Sequence, residues 1–135
     1  MEISAKDDGP LVISEAQVVT GATVAAADRL GLAAGDLASV IGVCEDTVLR
    51  MGRLEHLLRK GTPPFEKALL LIRLFRALDA VTHADATSAR EWLRNTNLAL
   101  GGIPAEKIAT RDGLLDVLAY LDECLGRDRG AVAAP

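Results

Sequence analysis

Aromatic residues are scarce in this chain of 135 residues, at 3% of the total. β-Sandwiches and β-barrels draw on aromatic and β-branched side chains, so the composition argues against both. Half of the residues are hydrophobic, and alanine and leucine dominate this half. These two residues lose little conformational entropy on entering a helix. We therefore predict an all-α protein.

Cysteine is equally rare, with only Cys44 and Cys124, no CxxC pair and no neighbouring pair of histidines. This excludes a disulfide framework and a cysteine-based metal site, so no cofactor or metal is expected. Two thiols suit a reducing cytoplasm, and the acidic first ten residues do not resemble a signal peptide. The longest apolar run, 68–72, ends at Arg73 and is too short to span a membrane. We predict a cytoplasmic protein that is not membrane-bound.

Positive charge is in deficit, with a formal net charge of −4. Non-specific binding to nucleic acid depends on Lys and Arg displacing counterions, so the whole chain is a poor candidate for it. Residues 44–60 are the exception, because they carry four basic and three acidic groups. Any DNA contact is expected in this short segment.

Helix caps, breakers and apolar spacing predict a series of helices. The first runs from Ser14 to Leu30, and the residues expected on its buried face are Val18, Ala22, Ala25, Ala26 and Leu30. The helix at 64–84 is apolar almost all round except at Glu66, Arg73 and Arg76, so either the rest of the chain or a second copy must cover it. The remaining helices are predicted at 34–41, 45–60, 88–94, 104–109 and from 111 to about 125, with a stop at Gly126.

Residues 32–53 have the pattern of a helix-turn-helix. Ala38 is small enough for a close helix crossing, Gly42 suits the turn, and Val43 and Val48 supply apolar contacts. The second helix of such a motif enters the DNA major groove by its N-terminal part. The residues expected to face DNA are Cys44, Glu45, Asp46, Thr47, Leu49, Arg50 and Arg53. The alternative is a helix pair used only for packing, with Glu45 and Asp46 as favourable charges at a helix N-terminus.

The C-terminal third carries a second pattern, formed by Trp92-Leu93, Asn97, Leu100-Gly101-Gly102, Pro104, Ile108, Thr110, Gly113 and Val117. This pattern resembles the toxin-binding domain of Xre/MbcA/ParS antitoxins, which follows an Xre-like helix-turn-helix. The resemblance implies a type II antitoxin that covers the active site of a RES-domain, NAD-consuming toxin. It also implies that the antitoxin represses its own operon by binding operator DNA. We expect a homodimer joined through the 64–84 helix and the first helix, because a dimer would match a palindromic operator. Toxin-binding residues implied by the pattern are Trp92, Asn97, Gly101, Gly102, Pro104, Thr110 and Gly113.

The residues themselves allow plainer roles for several of these positions. Trp92 is expected in the core, Asn97 is expected to tie the loop through its side chain, and Gly113 is expected where another backbone packs closely. The apolar face of the last helix, from Leu114 to Leu125, exceeds what a small domain needs, so part of it is expected to meet a partner.

The predicted organisation is a mobile lead over 1–12, a helix-turn-helix domain over 13–62, a linking and dimerisation helix over 63–84, a toxin-binding domain over 85–127 and a mobile tail over 128–135. His56 and His83 lack a neighbouring nucleophile or acid, so the chain is predicted not to be an enzyme. Two alternatives stay open. One is a helix-turn-helix regulator without a toxin, and the other is a toxin-binding adaptor that does not bind DNA.

Overall fold

The computed structural model describes the backbone of residues 14–133 and the side chains up to residue 126. Within this range the chain forms helices and no strand, which confirms the all-α prediction. The predicted lead over 1–12 and the last two residues of the predicted tail lie outside the described residues. The helices are α1 (Glu15–Leu30), α2 (Ala34–Ile41), α3 (Glu45–Gly52), α4 (Pro63–Val81), α5 (Ala86–Arg94), α6 (Pro104–Lys107) and α7 (Arg111–Ala133).

Local sequence signals determine where α1 and α2 begin and end. The Ser14 side chain accepts the backbone N–H of Gln17, and the Gln17 side chain accepts the backbone N–H of Ser14, forming a capping box. Gly31 and Gly42 end the two helices in the left-handed conformation, at φ 73° and 79°. Both helices therefore have the predicted bounds.

The prediction that α3 continues to residue 60 is wrong, because α3 ends at Gly52. Leu54 adopts a φ of 58°, and the Glu55 N–H donates to the Arg50 carbonyl at 2.8 Å, which closes the helix. Further along, the buried Leu58 N–H donates to the Thr20 hydroxyl of α1 at 2.9 Å. A tertiary hydrogen bond thus replaces the helical one, although the leucine spacing resembles that of a helix.

Helix α4 lies at the centre of the molecule and contacts α1, α2, α5 and α7. Its buried side chains include Phe65, Ala68, Leu71, Leu74 and Leu78. The exposed stripe contains the predicted Glu66, Arg73 and Arg76. The apolar character of α4 is thus explained largely by the rest of the same chain.

The predicted buried face of α1 is correct at Ala26 and Leu30, which are buried, and wrong at Val18 and Ala25. Val18 is 54% exposed and Ala25 is exposed, whereas Thr20 and Thr23 are fully buried. The Thr23 hydroxyl donates to the Val19 carbonyl at 2.6 Å, so burial leaves no unsatisfied donor. Because α1 is rich in small residues, hydrophobicity alone does not distinguish its inner face from its outer face.

Helix α7 differs from the prediction in its length and in its buried face. It passes through Gly126 to Ala133 instead of stopping at Gly126, so residues 128–133 of the predicted tail continue the helix. A glycine in an exposed helix costs only about 1 kcal/mol relative to alanine, which good helix formers around it offset. The prediction that part of the apolar face of α7 is left for a partner is also wrong. Within the same chain, Leu114, Val117, Leu118 and Leu121 are buried, and Leu125 packs partly against the same core.

Two arginines of α5 attach the C-terminal part to the N-terminal part. The Arg90 side chain donates to the carbonyls of Arg29 and Asp28 at 3.1 and 3.3 Å. The Arg94 side chain donates to the Gly31 carbonyl at 2.8 Å and lies 3.6 Å from the Asp36 carboxylate. These cations satisfy carbonyls at the C-terminal end of α1, where the helix dipole favours positive charge.

Candidate functional site

The loop between α5 and α6 is a tight turn held by backbone hydrogen bonds. The Asn97 N–H donates to the Gly102 carbonyl at 2.9 Å, and the Gly102 N–H donates to the Asn97 carbonyl at 3.2 Å. The Asn97 side-chain oxygen accepts the Leu100 N–H at 3.2 Å, as predicted. Gly101 has a φ of 75°, which a residue with a side chain rarely adopts. The turn over 97–102 therefore has a defined shape.

Leu98 lies in this turn and is 92% exposed. The sequence prediction missed it, because it treated the polar and glycine positions of the pattern as the functional ones. The available signal was a leucine placed inside a turn flanked by Asn97 and Gly101, where polar residues are usual.

A surface depression of about 310 Å³ lies beside the turn. One wall is Tyr120 of α7, whose ring stacks on Trp92 at 6.2 Å between centroids. Trp92 is half-buried and packs against the core, in keeping with its predicted structural role. The depression is lined by Ala99, Leu100, Asp116, Ala119, Tyr120 and Glu123.

Three further predicted toxin-binding residues shape the backbone around α6. Pro104 is buried at the start of α6. The Thr110 side-chain oxygen accepts the Gly113 N–H at 3.0 Å and thereby caps the start of α7. A Cβ at Gly113 would overlap the Lys107 carbonyl oxygen, so glycine there permits the close approach of α6 and α7 that the sequence predicted. Of these three, only Thr110 is exposed, so Pro104 and Gly113 position the surface from below.

The α2–α3 pair lies in the other half of the molecule. Ala38 and Val48 are buried between the helices, Val43 is half-buried in the turn, and Met51 anchors α3 to the core. The residues predicted to face DNA are accessible. Those that are exposed are Cys44, Glu45, Asp46, Leu49, Arg50 and Arg53, whereas Thr47 is half-buried.

The leading end of α3 combines a thiol with two carboxylates. Cys44 precedes α3, and its Sγ lies 3.1 Å from the Thr47 hydroxyl. Hydrogen bonds from the Thr47 hydroxyl and backbone lower the pKa of the Cys44 thiol. Arg53 lies 3.7 Å from Glu55, in an exposed ion pair.

The part of the chain that the structure describes has neither a cluster of metal-ligating side chains nor a helix that could span a membrane. No group of three or more His, Cys, Asp or Glu side chains there could hold a metal ion. Each helix there falls short of the combined length and apolarity that crossing a bilayer requires.

Comparison with known families gives a match over residues 77–127, to the model of the antitoxin Xre/MbcA/ParS C-terminal toxin-binding domain. Residues 77–127 are therefore similar to an Xre/MbcA/ParS toxin-binding domain. The match confirms the resemblance over these residues and supports an antitoxin that has a toxin as its partner. The matched segment begins in the second half of α4 and contains the 97–102 turn, the depression and the Trp92–Tyr120 stack. No curated protein matches the chain.

Proposed function

We propose that the chain neutralises a RES-domain toxin, an enzyme that consumes NAD⁺, by covering its active site with the toxin-binding domain. The match over residues 77–127 is the observation that carries this proposal. The shape of the domain supports it, since the 97–102 turn and the neighbouring depression give one end of the molecule a defined, accessible surface. We further propose that the chain acts by binding alone, without catalysing a reaction.

Co-expression with the toxin encoded beside the chain's gene tests this proposal. The toxin alone is expected to lower cellular NAD⁺ and stop growth, and the antitoxin is expected to restore both and to co-purify with the toxin. Growth arrest without a loss of NAD⁺ would overturn the RES assignment. A toxin that stays active beside a folded, abundant antitoxin would overturn neutralisation.

We also propose that the α2–α3 pair binds operator DNA and represses the operon, which places the antitoxin in the cytoplasm. Support comes from the exposed Arg50 and Arg53, while the buried Val48 and Met51 hold α3 to the core. Arg50 is placed to bond a guanine edge or a phosphate if α3 enters the major groove.

Gel-shift titrations on the upstream DNA at several salt concentrations test the DNA-binding proposal. Specific binding that weakens as salt rises is expected. Arg50→Ala should weaken it by roughly 1–3 kcal/mol, about 5-fold to 150-fold, while toxin neutralisation persists. Arg111→Ala is the matched control, because Arg111 is exposed on α7 and far along the chain from α3. An equal loss of DNA affinity in Arg50→Ala and Arg111→Ala would refute a role for α3 in DNA binding.

One observation favours a second candidate, a toxin-binding adaptor that does not bind DNA. Glu45 and Asp46 are both exposed at the leading end of α3, where they would repel phosphates. Neutralisation without specific DNA binding at any salt concentration would establish the adaptor. A toxin-free regulator is the less favoured alternative, since the toxin-binding match speaks against it.

We propose that two copies associate through the outer faces of α1 and α4. Most of α4 is covered by its own chain, but apolar side chains stay exposed on both helices, Val18 at 54% and Leu69 at 36%. A two-fold dimer would match a palindromic operator. Sedimentation analysis should report a dimer that Val18→Glu converts to a monomer. A dimer that survives Val18→Glu combined with Leu69→Glu would exclude this interface.

A further inference from the structure

We propose that Leu98 is the apolar anchor of the antitoxin, and that it inserts into an apolar cleft of the toxin whose rim carries basic groups. This inference rests on the proposed function, in which the domain over 77–127 binds a toxin. It adds the residue that makes the central contact and the chemistry of the surface that receives it.

The exposure of Leu98 is unusual for this molecule. The other leucines of α5 and α7 are buried or partly buried, except Leu115 at 38%, whereas Leu98 is 92% exposed. A leucine held in water forgoes the free energy that burial would give it. The free chain leaves this side chain almost entirely in water, so a partner that covered Leu98 would gain the free energy of its burial.

The turn that carries Leu98 is already ordered before any partner binds. The Asn97–Gly102 backbone pair, the Asn97 side chain and the left-handed Gly101 fix the backbone on both sides of the leucine. An anchor on a preformed turn loses less conformational entropy on binding than one on a flexible loop. The structure of the turn therefore favours Leu98 as the anchor over a residue in an unstructured segment.

The surroundings of Leu98 determine the charge expected of the partner. The depression beside the turn is lined by the apolar side chains Leu100 and Ala119 together with the acidic side chains Asp116 and Glu123. Asp112 is exposed one turn before Asp116 on α7. Neither Asp112 nor Asp116 forms a salt bridge with another described residue. A cleft with an apolar interior and a Lys- or Arg-bearing rim complements this surface.

Other exposed hydrophobic side chains are weaker candidates for this contact. Val18, Leu49, Leu54 and Leu69 lie outside the matched toxin-binding segment. Leu115 lies inside it but is less exposed.

Calorimetric titration of the purified full-length chain with the co-encoded toxin tests the anchor. Leu98→Asp is expected to weaken binding by roughly 100-fold or more, and Leu98→Met by less than about 10-fold, because methionine keeps the apolar volume. The control is Leu54→Asp, since Leu54 is 53% exposed outside the matched segment, at a φ of 58° that aspartate tolerates. This control should bind like the wild-type chain. Circular dichroism should show unchanged helix content in all three variants.

The possible outcomes separate the anchor from the proposed function. A wild-type chain that does not bind the toxin overturns both. A wild-type chain that binds, together with Leu98→Asp of equal affinity, overturns the anchor alone. Equal weakening by Leu98→Asp and Leu54→Asp also overturns the anchor, because the effect would then be general.

The association rate of the two proteins tests the proposed positive charge on the rim of the toxin cleft. Asp116→Lys is expected to slow association by about 10-fold at low salt and to reduce the dependence of the association rate on salt. Faster association in Asp116→Lys would show that the rim of the toxin cleft is acidic, and would overturn this part of the proposal.

Discussion

Gly113 is the residue whose role is most sharply defined by geometry. Glycine in a helix is ordinarily replaced by alanine with a gain of about 1 kcal/mol, but a Cβ here would overlap the Lys107 carbonyl. We expect Gly113→Ala to lower the free energy of unfolding by roughly 1–3 kcal/mol in chemical denaturation, as overpacking does. Gly126→Ala, in the same helix with no atom near its Cβ, should instead raise it by about 0.5–1 kcal/mol. A higher free energy of unfolding in both variants would contradict the close contact between α6 and α7.

Asp85 gives the molecule a pH dependence at the start of α5. Its carboxylate accepts the Ser88 hydroxyl at 2.9 Å and the Thr87 and Ser88 backbone N–H groups, and the Ser88 hydrogen bonds lower its pKa. Because the pKa is lower in the folded state, the stabilising contribution is present above the ordinary aspartate pKa and is lost as pH falls through the folded value.

The pH dependence is measured by urea denaturation of the wild-type chain and Asp85→Ala from neutral to acidic pH. The wild-type chain should be the more stable of the two at neutral pH, and this advantage should shrink as the carboxylate is protonated. A difference that stays constant down to pH values well below the ordinary aspartate pKa would show that Asp85 does not act through its charge.

At the scale of elements, one hydrogen bond attaches the segment after α3 to α1. The buried Thr20 hydroxyl accepts the Leu58 N–H, so Thr20→Val would leave a buried donor unsatisfied at similar volume. We expect a loss of about 1–3 kcal/mol in the free energy of unfolding. Thr23→Val is the matched control, because the Thr23 hydroxyl only bonds back to a carbonyl of its own helix, and it should cost less than about 1 kcal/mol. Equal costs would show that the attachment of Leu58 to α1 is unimportant.

The elements show which features can be predicted from sequence. Helix ends at Ser14, Gly31 and Gly42 were predictable, because caps and left-handed glycines act within a few residues. The end of α3 was missed because the residue with positive φ that closes it is Leu54, which is not a usual helix breaker. The Thr20–Leu58 bond that holds the following segment joins residues 38 positions apart, so it could not be predicted from local sequence. The inner face of α1 was predicted only in part, since small side chains differ too little in hydrophobicity to define it.

The candidate site was predictable to a similar degree. The glycines, Asn97 and Pro104 identified the loop because they impose its backbone shape, and Asn97 ties the turn as expected. The exposed Leu98 was missed because it takes no part in that shape. Sequence patterns of turns indicate the residues that build a loop, whereas the structure shows which side chain the loop presents.

At the scale of the whole molecule, the two proposed binding surfaces share one core. Helix α7 packs on α4 with four fully or nearly fully buried side chains, and α5 bonds to the end of α1. Removing residues 111–135 would therefore expose the core as well as remove the toxin-binding surface. Exposed single substitutions, Arg50→Ala on α3 and Leu98→Asp in the turn, are expected to separate the two proposed activities without exposing the core.

Hydrogen–deuterium exchange of the full-length antitoxin, with and without its co-encoded toxin, is the most direct test of toxin binding through the C-terminal surface. New protection is expected in the 97–102 turn and along the first half of α7, with α2 and α3 unchanged. Protection confined to α2 and α3, with exchange in the turn unaltered, would contradict the account.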